Sequence, residues 1–278
     1  MKPNPQLEAE KLMSRKSNTP TPESYNLFKY RKINKYLLTC LKNNSIWFSD
    51  PESLNDPFDC QVNLSDAWTR SGIVVDSNTK TSDIHMLFNH PNGLLGHFEE
   101  ALKRTGICSF SLDGKNPLLW AHYGDEYKGI QLLYSFSENF LNNQENISLI
   151  ERVEYKSNNI TKWLIENTSK SSLNLYERLT ISKNPKSINY LEELIVTYLK
   201  SKSPKWAYEK EVRMIRTNPG ELKIPYGSLH QICFGLRTKQ KDIEDIKKIA
   251  KKFSGCQNFY KLEKDKRSDY GIKKINIS

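Results

Sequence analysis

The feature that most limits how this chain can fold is the spacing of its short apolar runs. LFKYR, IWFS, GICSFS, GIQLLYSF, EVRMIR and QICFG begin at residues 27, 46, 106, 129, 211 and 231. Each has strand length, and most are separated by irregular segments rather than by one regular helix. That order argues for an α+β architecture and against a repeated βαβ unit. The chain of 278 residues is long enough for a sizeable core. Its 37% apolar and 11% aromatic residues can fill one, and a mean hydropathy of −0.67 implies a very polar surface. No repeat and no Gly/Ser-rich linker divides it. The sequence therefore predicts a polar lead-in over 1–24, then one domain over 25–278 with a helical insertion at about 157–203.

Helical spacing is clear in four places. Ile33, Tyr36, Leu37, Cys40 and Leu41 predict a buried stripe that Asn43 and Asn44 can end. Leu94 to Arg104 reads as a short amphipathic helix. Ile188, Leu191, Leu194, Ile195, Tyr198 and Leu199 form a second stripe, and Ile243, Ile246, Ile249, Ala250 and Phe253 a third. Pro117 suits a first helical turn. Residues 67–93 read as irregular, and DPESLNDPFDC as a loop, since Pro51 and Pro57 bar regular structure. ERVEY (residues 151–155) is a further candidate strand, and QNFYKLE is expected to close the sheet.

Several function classes drop out. No stretch approaches the roughly 18 apolar residues of a membrane span, and the lead-in has no apolar core of a secretory signal. The expectation is a cytoplasmic protein without a membrane partner. Cys40, Cys60, Cys108, Cys233 and Cys256 are odd in number and lack CxxC spacing, so reduced thiols are expected. The five histidines show neither i, i+4 pairing nor HExxH, so no metal is expected. Walker, GxGxxG and GxSxG motifs are all missing. The net charge is +10, and residues 237–278 carry 13 basic against six acidic side chains. This basic C-terminal part suggests a polyanionic partner, nucleic acid first. The plainer reading is a Lys-rich solvated surface.

What remains is a scattered polar set. Ser109 and Ser111 sit two apart on a strand and so share a face, with Cys108 and Phe110 on the other. WAHYGDEY supplies Trp120, His122, Tyr123 and Tyr127, read either as aromatic core or as a platform on which a planar ring stacks. YEKEVRMI places Glu209 and Glu211 two apart, with Val212 and Met214 opposite them and Arg213 able to neutralise one. The plainer reading there is an edge strand with a salt bridge. Asn55 and Asp56, in NDPFD, either shape a pocket or cap a turn.

Taken in order, an Arg at the end of the first strand (LFKYR), Ser-x-Ser with an aromatic helix behind it (SFSLDGKNPLLWAHY) and an ExE strand (EKEVRMI) resemble the ADP-ribosyltransferase superfamily. The resemblance covers roughly Leu27 to Arg216. KYRK, IWFSDPESLNDPFDC, CSFS, LLWAHYGDEYKGI and WAYEKEVRMI also resemble a large bacterial family of unknown function. The first resemblance implies a split β-sheet core with flanking helices, and NAD as co-substrate. Cleavage of the nicotinamide–ribose bond builds positive charge on the ribose, much as in glycoside hydrolysis. Nicotinamide leaves neutral, so orientation and a fixed negative charge matter more than a strong acid. The resemblance casts Glu211 as that charge, Glu209 as the group that contacts or deprotonates the acceptor, Ser109 as the holder of Glu211 and the ribose, and Ser111 as a further NAD-binding residue. Arg31 or its neighbour Tyr30 would be the first-motif residue. Tyr123, Trp120 and Asn55 would complete the NAD pocket. Phe110 replaces the Thr common between the two serines, at a position that faces away.

The function implied is that of a transferase acting as a toxin or anti-phage defence effector on RNA or DNA, with a neutralising protein partner. Protein modification and NAD hydrolysis are alternative outcomes of the same site. A different class is a nucleic-acid-binding protein or a metal-dependent nuclease using Asp56, Asp59, Glu209 and Glu211.

Overall fold

The computed structural model describes residues 26–71, 94–143, 147–168 and 185–278. The lead-in at 1–24, residues 72–93 and part of the insertion lie outside the described residues.

The chain opens with β1 (Leu27–Arg31), α1 (Lys35–Asn43) and β2 (Ser45–Phe48). The Asn34 side chain caps α1 by accepting from the Leu37 N–H, and Asn44 ends it in the left-handed conformation. Leu37 and Leu41 are buried as the spacing requires, but Tyr36 is 63% exposed and falls outside the stripe. A 3₁₀ turn (Pro51–Ser53) and the NDPFD loop lead to α2 (Leu64–Ser71), a helix where the sequence suggested irregular chain from residue 67. Next come α3 (Leu94–Lys103), β3 (Thr105–Ser111), α4 (Pro117–His122), β4 (Ile130–Tyr134) and α5 (Glu138–Leu141). The expected ERVEY strand is instead two short ones, β5 (Leu149–Arg152) and β6 (Glu154–Tyr155).

The insertion contributes α6 (Asn159–Thr168) and α7 (Pro185–Lys200), then β7 (Ser201–Lys202) and a 3₁₀ helix (Pro204–Glu209). Leu194, Ile195, Tyr198 and Leu199 are buried. The described side chains do not include Ile188 and Leu191. The chain then runs through β8 (Glu211–Thr217), β9 (Gly220–Lys223), β10 (Leu229–Phe234), α8 (Gln240–Phe253), β11 (Asn258–Lys264) and β12 (Ile272–Asn276). β12 lies beyond the strand expected to close the sheet. On α8, Ile243, Ile246 and Ala250 are buried, whereas Phe253, its last residue, is 37% exposed.

Among the described residues the main sheet has eight strands in the order β12-β11-β10-β4-β1-β3-β8-β5. One face carries α1 and α8: Leu37, Leu41, Ile243 and Ile246 join Leu27, Phe110, Leu132, Val212 and Met214 in one apolar cluster. The other face is covered in two parts. The insertion and α3 bury Ile107 and Ile215 on the β3–β8 side. Trp120 of α4 packs with Tyr30, Cys233 and Leu262 on the β1–β10 side.

The position of the site follows from the sheet's middle. β1 pairs with β4 over five residues, but with β3 only through Phe28 and Ser111. Nearer the start of β3, Ser49 takes over the vacated edge: its N–H donates to the Ile107 carbonyl (2.8 Å) and its carbonyl accepts from the Ile107 N–H (2.7 Å). Between these two pairings β1 and β3 part, and a cleft opens.

Candidate active site

The cleft has a volume of about 610 Å³, within the usual range for small-molecule sites. Its walls differ in charge. β1 and the turn after it bring Lys29, Arg31 and Lys32; the far side carries Asp59, Lys202, Glu209 and Glu211.

The acidic wall is built from three segments. β3 and β8 are antiparallel, with Ser111 opposite Glu211 and Ser109 opposite Arg213, so these four side chains share one face. Glu209 does not lie on that strand. It ends the 3₁₀ helix begun at Pro204, and Lys210 is left-handed (φ 46°). The expectation that Glu209 and Glu211 face the same way through strand alternation is therefore corrected. They converge because the chain turns sharply between them, and both reach the ammonium of Lys202.

Lys202 donates to Glu209 Oε2 at 2.6 Å and Glu211 Oε2 at 2.9 Å, and lies 3.3 Å from Asp59 Oδ2. Arg213, fully buried, donates through Nε to Glu211 Oε1 (2.8 Å) and through Nη2 to both Asp59 oxygens (2.8 and 2.6 Å). Its Nη1 donates to the Leu199 carbonyl (2.7 Å), tying the site to the end of α7. Three buried carboxylates thus share two buried cations, the compensation that buried charges need.

Burial would push the Glu211 carboxyl up, but Arg213 and Lys202 outweigh it, with help from the Ser109 hydroxyl, and hold it well below the usual carboxylate range. Glu209 goes the other way: burial raises it, and Lys202 and Tyr123 offset this only in part. Burial would lower Lys202, yet Glu211, Asp59 and Glu209 together keep it firmly charged. The two glutamates therefore differ: Glu211 is held as a fixed anion, whereas the proton affinity of Glu209 is raised.

Hydroxyls frame both acids. The Tyr123 hydroxyl donates to Glu209 Oε1 (2.5 Å) and accepts from Asn55 Nδ2 (3.4 Å). The Ser111 hydroxyl donates to the Glu209 carbonyl (2.5 Å) and accepts from the Asp113 N–H (2.9 Å), so it latches the turn that carries the acids. The Tyr155 hydroxyl accepts from the Glu211 N–H (2.7 Å).

Of the residues singled out from sequence, Glu211, Glu209, Tyr30, Arg31, Ser109, Ser111, Tyr123 and Asn55 all line the cleft. Trp120 does not. It is wholly buried between Tyr30, edge-on at 5.2 Å, and Tyr127, stacked at 5.9 Å, which leaves no ring face for a ligand. Tyr30 turns its hydroxyl to the Asp113 carbonyl (2.9 Å), so Arg31 has the freer polar group. Asp56 accepts from the Phe58 N–H and shapes its own turn. Asp59, Glu209 and Glu211 are neutralised by Lys202 and Arg213, and among the described residues no group of acids, His and Cys is arranged to hold a metal ion. Sequence reasoning missed Lys202, one lysine among many, and Tyr155. It also missed Lys29, whose ammonium donates to the Ser109 carbonyl at 2.7 Å. Among the described residues no helix is long and apolar enough to cross a membrane. The five cysteines are free thiols, and all but Cys40 are buried.

Residues 119–214 match a family described as protein of unknown function (DUF2971). The matched stretch holds Tyr123, Tyr155, Lys202, Glu209, Glu211 and Arg213; β1, the NDPFD loop and both serines lie before it. No curated protein and no solved structure matches the chain.

Proposed function

We propose that this protein is an NAD-dependent ADP-ribosyltransferase with Glu211 as its central catalytic carboxylate. One observation carries the reading. A buried carboxylate, kept ionised by Arg213 and Lys202, faces a cleft whose opposite wall is basic. NAD has this polarity: a diphosphate at one end of the reacting half and a ribose that turns cationic at the other. Arg31, with its rigid fork of donors, suits the diphosphate. Glu211 suits the ribose, where a fixed negative charge stabilises the transition state without reorganising.

In this mechanism the bond between ribose C1′ and the nicotinamide nitrogen breaks, and its electron pair leaves with neutral nicotinamide. The acceptor's nucleophilic atom forms the new bond at C1′ and passes its proton to Glu209, whose raised proton affinity fits that task. Ser109 steadies Glu211, and the exposed part of the Tyr123 ring edges the nicotinamide side of the cleft. With water as acceptor the same steps amount to NAD hydrolysis.

The proposed acceptor is nucleic acid. The support is the net basic charge of residues 237–278, 13 basic against six acidic side chains. A transferase of this kind acts as a toxin or defence effector in the cytoplasm and requires a neutralising protein partner; protein side chains are the alternative acceptor. A metal-dependent nuclease is disfavoured, because the acids it needs already contact Lys202 and Arg213.

The test is incubation with labelled NAD and cell lysate in EDTA, followed by separate nuclease and protease digestion. Nicotinamide release that persists in EDTA, with label removed by nuclease, is expected. Glu211→Gln should cut release by about 10²-fold or more. Full activity in that variant would remove Glu211 from the mechanism.

A further inference from the structure

We infer that Lys202 is the positioning residue of this site: its one ammonium holds Glu209 and Glu211 side by side, ionised and aimed into the cleft. The catalytic consequence rests on the transferase reading; the electrostatic consequence does not.

Two buried acids in one wall repel each other, and without a cation between them one must take up a proton. Arg213 cannot serve both. It binds Glu211 and Asp59, while the cation in contact with Glu209 is Lys202. A lysine suits the place because an ammonium has three donors on a compact charge. Three carboxylates lie within reach, and each takes one contact.

The residues facing Lys202 come from every segment packed around it. The NDPFD loop brings Asp59. The 3₁₀ helix brings Glu209 and the Trp206 ring, whose centroid is 5.4 Å from Nζ. β8 brings Glu211 and, beyond it, Arg213. The Tyr123 hydroxyl donates to the Glu209 carboxylate, and the Tyr155 hydroxyl accepts from the Glu211 backbone N–H. The backbone is held as well. Lys202 is in register with Tyr155 in the parallel β6–β7 pair, and its neighbour Lys200 bridges to Glu154 at 2.9 Å. The lysine is therefore fixed at its root and at its tip, and it joins the acids to the insertion that precedes them.

The experiment compares the full chain with Lys202→Met, Lys202→Arg and the charge-compensated Lys202→Met/Asp59→Asn. Carboxyl titrations are followed by NMR on protein carrying carboxyl-labelled glutamate, with Glu209→Gln and Glu211→Gln assigning the two signals. In the Met variants the Glu209 titration should move up by about one pH unit or more, and Lys202→Arg should restore most of the shift. The acid limb of nicotinamide release should move in the same direction, with kcat falling more than KM for NAD rises. Unchanged titrations in a folded Met variant would overturn the inference. So would a folded Lys202→Arg protein whose Glu209 titration stays as high as in the Met variants, since the positive charge would then not be what holds the acids ionised. If the titrations move as stated but no form, wild type included, releases nicotinamide, the transferase reading falls and the role of Lys202 stands.

Discussion

The Lys29 ammonium reaches across the opening between β1 and β3 and donates to the Ser109 carbonyl at 2.7 Å. β3 at this point has no β1 residue in register, since the two strands pair only at Phe28 and Ser111. A side chain thus bridges strands whose backbones have parted, and it does so from the basic wall. Burial lowers the proton affinity of Lys29, with Cys108 countering and Arg31 adding to the effect. Holding a charge there costs stability, so the lysine is poorly explained as a stabilising contact. Lys29→Met is expected to leave stability within about 1 kcal/mol of wild type, because the desolvation relieved offsets the charge-assisted bond lost. It should weaken binding of ADP, the anionic half of NAD, by tenfold or more. Urea unfolding and calorimetric titration with ADP check the two halves; a large loss of stability with unchanged ADP affinity would contradict the assignment.

Arg213 is the opposite case. It is 0% exposed, and its guanidinium satisfies both oxygens of Asp59, Glu211 Oε1 and the Leu199 carbonyl together. Removing one member of such a network leaves partners buried and unpaired, at a cost of about 3–5 kcal/mol. Arg213→Met should lose that much in urea unfolding. Arg213→Lys should recover only part, since one ammonium cannot reproduce a planar fork on Asp59 while also reaching Glu211. Equal stability of the Lys variant and wild type would mean that charge, not geometry, is what the site requires.

The two glutamates should leave opposite marks on acid stability. Glu211 has a folded proton affinity below its unfolded one. Its stabilisation is complete above the ordinary carboxylate range, about pH 4.3, and is lost as pH falls from there toward its depressed value. Glu209 is raised by burial. Its contribution is fully present below the ordinary range and is lost as pH climbs through its raised value. Glu211→Gln should therefore flatten the fall in stability between about pH 4 and pH 2. Glu209→Gln should flatten a shallower decline on the side just above pH 4. Denaturant midpoints across pH 2–7 separate them, and identical profiles for the two variants would refute the asymmetry.

The parts of this site that were legible in the sequence are those set by local geometry. Ser109 and Ser111 share a face because strands alternate, and the Asn44 helix end and the Pro117 helix start follow from the left-handed freedom of Asn and the fixed φ of Pro. Strand alternation failed at Glu209, since Lys210 is a non-glycine residue in the left-handed region, which composition does not announce. Trp120 was ambiguous for a related reason. An aromatic-rich turn reads alike as core or platform until tertiary packing decides, and here Tyr30 and Tyr127 enclose the ring. Lys202 was invisible because its importance lies entirely in what meets it: Asp59 is 143 residues away in the chain, and nothing about SKSPK marks its first lysine.

Gly129 links the aromatic turn to the basic wall. A Cβ there would sit 2.3 Å from the Arg31 carbonyl oxygen and 2.9 Å from the Gly124 oxygen, both backbone atoms that cannot swing aside. The same residue donates its N–H to the Gly124 carbonyl (2.8 Å) and accepts at its own carbonyl from the Gly235 N–H (3.0 Å) and the Thr238 hydroxyl (2.9 Å). Relief of the clash must therefore shift either the end of β1, where Arg31 sits, or the turn that follows Tyr123. Gly129→Ala should cost about 1–3 kcal/mol, as overpacking does. It should also raise KM for NAD more than it lowers kcat, because the displaced residues hold the ligand rather than Glu211. A variant that loses stability yet keeps wild-type KM would show that the strain escapes away from Arg31, and that the first strand's end is not part of the binding wall.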